Sequence, residues 1–145
     1  MIPDVNVLVA ASRTDHPQHR AATAWIKTAL KECASGATFL LLPMVVASCL
    51  RLVTNPKIFP DATPIEDAIG FIDSLMALPE VEMPALGAEW PLLRQACLDK
   101  KLSANALPDA WLAAAVVQLG DHLVTFDTGF KNLLRHGQYT LLAST

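Results

Sequence analysis

Three aspartates stand where a carboxylate is out of keeping with its neighbours. Asp4 interrupts the apolar run Ile2-Pro3-Asp4-Val5-Asn6-Val7-Leu8-Val9, Asp109 opens the nearly uncharged stretch that continues to Leu119, and Asp127 ends His122-Leu123-Val124-Thr125-Phe126. A carboxylate taken out of water needs hydrogen bonds or opposite charge in return. Carboxylates brought close together cannot all stay ionised unless something positive lies between them. A hard divalent ion, Mg²⁺ or Mn²⁺, suits such a set, because the chain has no cluster of His or Cys at metal-ligand spacing. Such an ion can orient a water, stabilise charge on a phosphate and support an in-line displacement. Separate helix caps account for the same three positions, since an Asp at a helix start accepts the first backbone N–H groups. Spacing alone leaves both readings open.

The elements that would position these residues alternate in type. Ile2 to Val9 reads as a short buried strand carrying Asp4 toward its carboxyl end. Thr14-Asp15-His16-Pro17 supplies an N-cap and an early proline for a helix reaching about Cys33. His16 and His19, three apart, have the spacing of a metal pair, though a solvated helix start is the preferred explanation. Ala37 to Leu42 reads as a second buried strand, and Met44 to Val53 as a helix whose single charge, Arg51, is either a phosphate contact or a solvent-facing residue. Thr63-Pro64-Ile65-Glu66 has the form of a capping box, followed by a core-facing stripe of Ile65, Ala68, Ile69, Ile72, Leu75 and Met76. Val81 to Met83 is a short edge strand before Pro84. Gly87 to Lys101 and Asp109 to Leu119 read as helices, the second stopped by Gly120. His122 to Asp127 is a strand, a short helix with Phe130, Leu133 and Leu134 follows, and Tyr139 to Leu142 closes the chain. This alternation predicts a three-layer α/β/α domain with a mainly parallel sheet, in which the three aspartates converge on one sheet edge.

The totals fit one domain over residues 1–145. A hydrophobic fraction of 52% and a mean hydropathy of +0.35 suit a sheet covered on both faces and argue against disorder. The uncharged stretch Ala34 to Leu50 is broken by Gly36 and Pro43 and is too short to cross a membrane. No basic region precedes an apolar core at the N-terminus, so no secretory signal is visible. Cys33, Cys49 and Cys97 lack CxxC pairing and read as buried thiols of a cytoplasmic protein. The net charge of −3 gives no general attraction for nucleic acid, so any RNA or DNA must be held by a local basic patch, a bound metal or a second subunit.

Four segments together carry a resemblance. Asp4-Val5-Asn6-Val7-Leu8, Leu50-Arg51-Leu52-Val53-Thr54-Asn55-Pro56, Pro108-Asp109-Ala110-Trp111-Leu112-Ala113-Ala114 and Thr125-Phe126-Asp127-Thr128-Gly129-Phe130 resemble, in order, the PIN domain. More narrowly, the chain is similar to the VapC-type toxins of bacterial toxin–antitoxin pairs, in the branch well populated in mycobacteria. The resemblance implies that the first strand lies beside the one ending at Asp127, with Asp109 delivered to the same cleft. It also implies an Mg²⁺- or Mn²⁺-dependent endoribonuclease acting on RNA, a homodimer, and a small VapB-type antitoxin whose tail fills the cleft. On that pattern Asp4, Asp109 and Asp127 are the catalytic metal ligands, and Asn6 and Thr125 are accompanying polar positions.

One departure bears on activity. Many relatives carry a Glu three residues before the Arg that matches Arg51, and here that position is Ser48. A hydroxyl binds Mg²⁺ far more weakly than a carboxylate, though it can hold a coordinated water. The alternative is therefore a degenerate PIN domain that binds RNA or an antitoxin without cutting. A dehalogenase-type phosphatase is disfavoured because it needs a second Asp where Asn6 stands. Arg13, Arg51, Lys57, Lys131 and Arg135 are the candidates for phosphate contact, with solvated surface the preferred reading for most of them.

Overall fold

The computed structural model describes residues 1–144, and Thr145, the last residue of the predicted domain, lies outside them. Strands β1 (Ile2–Pro3), β4 (Leu123–Thr125) and β5 (Tyr139–Leu141) form one parallel sheet in the order β1-β4-β5. Strands β2 (Phe39–Leu40) and β3 (Val81–Glu82) pair in parallel beside it. Met1 joins the two: its amino group donates to the Thr38 carbonyl at 2.6 Å and its carbonyl accepts from Leu40 N at 2.9 Å, the pattern of a parallel bridge opposite Phe39. The strands therefore run β5-β4-β1-β2-β3, with β3 the edge expected from Pro84. Successive strands build one way from β1 to β3, and the chain then returns to the other side of β1 with β4. The junction of β1 and β4 is the topological switch point, where α/β sheets bind ligands at their carboxyl ends.

The mixed α/β architecture with a parallel sheet agrees with the predicted class, but the first element differs. Only Ile2–Pro3 is strand, and Val5–Ser12 is helix α1. Val7, Leu8, Val9, Ala10 and Ala11 are all buried, so α1 is apolar on every side. In a segment buried all round, periodicity no longer separates strand from helix, and alternating Val5, Val7 and Val9 imitate a strand. Asp4 settles the local choice by accepting Val5 N at 2.7 Å through its side chain, while its carbonyl takes the N–H groups of Val7 and Leu8.

The remaining helices are α2 (His19–Cys33), α3 (Pro43–Val53), α4 (Ile65–Met76), α5 (Trp90–Lys100) and α6 (Leu107–Leu119). Helix α1 packs against α2 and α3, and α5 packs against α6. Trp25 of α2 stacks on Phe39 with ring centroids 5.6 Å apart. Gly120, at φ 63°, supplies the left-handed C-cap of α6. Two expected caps are absent for one reason. Arg13 is buried and donates to both Asp15 oxygens at 3.0 and 2.8 Å, to Thr63 Oγ1 at 3.0 Å and to the Asp61 carbonyl at 2.9 Å, with its guanidinium 4.1 Å from the centroid of the Phe59 ring. Asp15 is thereby drawn away from the start of α2, and Thr63 from that of α4, whose N-cap is Pro64. Helix α4 also turns differently from expectation, burying Ala68, Ile72 and Leu75 while Ile65 and Ile69 are 46% and 42% exposed.

Arg13 is thus a brace between the α1–α2 and α3–α4 connections, which corrects its reading as a phosphate contact. Replacing Arg13→Ala should destabilise the protein by about 2–3 kcal/mol in urea denaturation, since the four hydrogen bonds of a buried guanidinium and its contact with the Phe59 ring are lost together. An unchanged midpoint would exclude the brace.

Candidate active site

Asp4 follows β1 directly and is almost fully buried, and Asp127 lies two residues beyond the end of β4. Parallel pairing of Ile2 with Leu123 and Pro3 with Val124 sets the two segments side by side. The fully buried Thr125 links them. Its Oγ1 donates to Asp4 Oδ2 at 2.6 Å and accepts from Asp127 N at 2.9 Å and from Asn6 Nδ2 at 3.2 Å. Asn6 completes the mesh, donating to Asp4 Oδ2 at 3.2 Å and accepting Phe126 N at 3.2 Å. Asp127 Oδ1 accepts Gly129 N at 2.7 Å. A Cβ at Gly129 would lie 3.1 Å from that same oxygen, so the glycine permits the close approach.

Asp109 arrives in the first turn of α6, after Pro108, and caps nothing: the N-cap is Ala106, and no hydrogen bond to its carboxylate is made among the described residues. Asp4 and Asp127 do cap, so the two readings left open by the sequence combine rather than compete. All three carboxylates line one cleft of about 280 Å³ with Val5, Asn6, Val9, His16 and Leu52. None of the three is in an ion pair among the described residues. Ser48 and Arg51 line a larger cavity of about 660 Å³, which shares Asp4, Val5 and Asp109 with the cleft and is walled by apolar side chains including Trp90, Leu93, Leu107 and Trp111. Lys57, Lys131 and Arg135 are exposed and line neither space.

Electrostatics follow from this arrangement. Desolvation pushes Asp4 up to about 6 against the hydrogen bonds from Thr125 and Val5, which lower it, and the charges of Asp109 and Asp127 raise it further. Asp109 is also held above the usual carboxylate range, by burial first and by Asp127 second. The site therefore carries more negative charge than its surroundings compensate. Its donor set is chemically matched to a hard divalent cation: three carboxylates, with Asp109 and Asp127 Oδ2 free of hydrogen bonds among the described residues. Among those residues no group of three or more His, Cys, Asp or Glu side chains is gathered to metal-ligating distance. Both histidines are tied to the backbone through Nδ1: His19 Nδ1 bonds the Ala10 carbonyl at 2.9 Å and His16 Nδ1 accepts Gln18 N at 3.0 Å.

Three features of the site escaped the sequence reading. The Asp127–Gly129 contact has a signature, an Asx turn two residues long. The position of His16 in the cleft has none, because it depends on the Arg13 brace. Nor does the buried Glu89, which accepts Trp111 Nε1 at 2.8 Å and Gly87 N at 2.7 Å and so fixes one wall of the larger cavity. Desolvation raises its pKa, but these hydrogen bonds outweigh that and hold it below the ordinary range.

Two of the carboxylates thus stand at the switch point of a parallel sheet, and the third on the first turn of α6. The PIN domain family model matches residues 1–134, and the chain belongs to that family. It is 38% identical over 136 residues to Ribonuclease VapC25 of Mycobacterium tuberculosis, covering 92% of this chain and 94% of that protein. It is 37% identical to Ribonuclease VapC31 of the same organism, over the same shares of the two chains. The fold is similar to that in the crystal structure of VapBC2 from Rickettsia felis bound to a promoter DNA fragment, with a TM-score of 0.67 at 16% identity over 98% of each chain. It is also similar to that of Mycobacterium tuberculosis VapC20, a sarcin–ricin loop cleaving toxin, with a TM-score of 0.62 at 14% identity over 90% of this chain and 92% of that one.

The raised pKa of Asp4 has a sign that can be measured. Below pH ~4 both folded and unfolded chains hold its proton; between pH ~4 and ~6 only the folded chain does, so stability falls as pH rises through that window and stays lowered above it. Asp4→Asn removes this titration along with one acceptor oxygen, so whatever its offset at pH 4, its metal-free stability in EDTA relative to the parent should gain up to about 3 kcal/mol between pH 4 and pH 7.5. A difference independent of pH would contradict the assignment.

Proposed function

We propose that this chain is a divalent-metal-dependent endoribonuclease and the toxin of a VapBC-type toxin–antitoxin pair, built as one PIN-like domain over residues 1–145. The observation that carries the reading is the meeting of Asp4, Asp109 and Asp127 on one cleft of a PIN-family sheet, in a chain 38% identical to Ribonuclease VapC25. Mg²⁺ or Mn²⁺ is the ion this oxygen donor set favours, with Asp4, Asp109 and Asp127 as its ligands and as the catalytic residues. Such an ion, when bound, supplies a polarised water and stabilises charge developing on the scissile phosphate.

The chain's own residues prepare that chemistry. Thr125 and Asn6 hold Asp4 Oδ2, and the Gly129 N–H holds Asp127 Oδ1, so two of the carboxylates are oriented before any substrate arrives. Asp109, free of internal bonds, is the adjustable member. Arg51, on the wall of the adjoining cavity, presents a guanidinium to a backbone phosphate. Ser48 lines that cavity too, where its hydroxyl can hold a water. Hydrolysis of the phosphodiester bond leaves a 5′-phosphate and a 3′-hydroxyl. The apolar cavity beside the carboxylates suits the tail of a VapB-type antitoxin, which would cover Asp4 and Asp109 from that side. A homodimer acting in the cytoplasm completes the reading; no helix among the described residues is long and apolar enough to cross a membrane.

The decisive measurement is cleavage of structured RNA by purified, antitoxin-free protein with Mn²⁺, Mg²⁺ or EDTA. Cutting should require the metal and fall at least about 100-fold in each of Asp4→Asn, Asp109→Asn and Asp127→Asn, with the fold retained by circular dichroism. Full activity in all three variants would sink the site. A non-cleaving PIN domain is the second reading, favoured by Ser48 in place of a Glu. Ser48→Glu separates them: activity gained from an inactive protein supports the non-cleaving reading, whereas no change in an active one makes the Glu dispensable.

A further inference from the structure

His16 lines the carboxylate cleft and has no part in the chemistry above. Its Nδ1 accepts the Gln18 N–H at 3.0 Å. A neutral imidazole that accepts at one nitrogen carries its proton on the other, so Nε2 is an N–H donor. Nε2 has no hydrogen-bond partner among the described residues, and no buried side-chain nitrogen or oxygen there lacks one, so Nε2 is open to solvent. Burial holds the ring below the usual imidazole range, Arg13 and His19 push the same way, and Asp15 opposes them, so the ring is neutral at pH 7.

This tautomer excludes two roles. A protonated Nε2 has no lone pair for a cation, and it cannot take a proton from water. Donation remains. The ring is held for it, because His16 N bonds the Arg13 carbonyl at 3.1 Å, His19 N bonds the His16 carbonyl at 3.0 Å, and buried Arg13 ties this turn to Asp61 and Thr63. A neutral donor also suits the cleft better than a cationic one. A Lys or Arg at this place would pair with Asp4, Asp109 or Asp127 and compete with a divalent ion for them.

We propose that His16 Nε2–H donates to a non-bridging oxygen of the RNA backbone phosphate in the carboxylate cleft, making it a substrate-binding residue. The inference rests on the nuclease reading for the nature of its ligand.

Two substitutions separate this contact from a role in the turn. His16→Asn retains an oxygen able to accept Gln18 N–H two residues on but has nothing at the Nε2 position. His16→Gln carries an amide N–H near the Nε2 position instead. The readouts are thermal melting, the Kd for a fluorescein-labelled mixed-sequence single-stranded RNA in Ca²⁺, and the KM for cleavage in Mn²⁺. His16→Asn should melt with the parent yet raise Kd and KM about tenfold, and His16→Gln should return both to within about threefold of the parent. Wild-type affinity in folded His16→Asn, a folded His16→Gln that does not recover, or no RNA binding by the parent would overturn the contact. Parent protein that binds RNA without cutting would instead overturn the nuclease reading, and the Kd series would still decide the role of His16.

Discussion

The hydrogen bond from Thr125 to Asp4, 2.6 Å long and buried in the seam between β1 and β4, is the constraint on which the site depends. A carboxylate at that depth persists only with charge-assisted donors on it, and in a low-dielectric seam such donors are short, strong and unforgiving of loss. Thr125 Oγ1 also accepts Asp127 N, so one hydroxyl sets the position of two acidic residues 123 positions apart in sequence. The pairing that brings Thr125 to Asp4 is the β1–β4 ladder itself, and a slip of one residue would turn the hydroxyl to the opposite face. Strand register and site geometry are therefore one requirement.

Much of this was legible in the residues. The acidic positions and the strand–helix alternation follow from local composition, because a lone polar group in an apolar run needs a reason to be there, whereas the companions Asn6 and Thr125 were marked by the family resemblance. The failures share a cause. Val5 to Val9 looked like strand because α1 is buried on every side and has lost its helical periodicity. The caps expected from Asp15 and Thr63 failed because Arg13, read as a solvated residue or a candidate phosphate contact, is buried and recruits both side chains, Thr63 from 50 positions away. Propensity describes what a segment prefers alone, and a buried guanidinium overrode it twice.

The two cavities are not independent, since Asp4, Val5 and Asp109 form part of both. A ligand in the larger, apolar space lies against the same carboxylates that a cation in the smaller one would use. Glu89 keeps the apolar side in shape by holding the Trp111 indole N–H, which leaves the ring as a fixed surface at modest entropic cost.

Both side-chain groups that fix the acidic residues are neutral: the Thr125 hydroxyl and the Asn6 amide. Cationic side chains are kept elsewhere, with Arg13 committed to Asp15 and Arg51 on the wall of the other cavity. Had an Arg or Lys supplied these hydrogen bonds, Asp4 would be held below the ordinary carboxylate range instead of near 6, and its charge would already be spent. Orientation without neutralisation leaves the field of the carboxylates available to an incoming cation. That is the difference between an acidic cluster serving as a structural ion pair and one serving as a binding site.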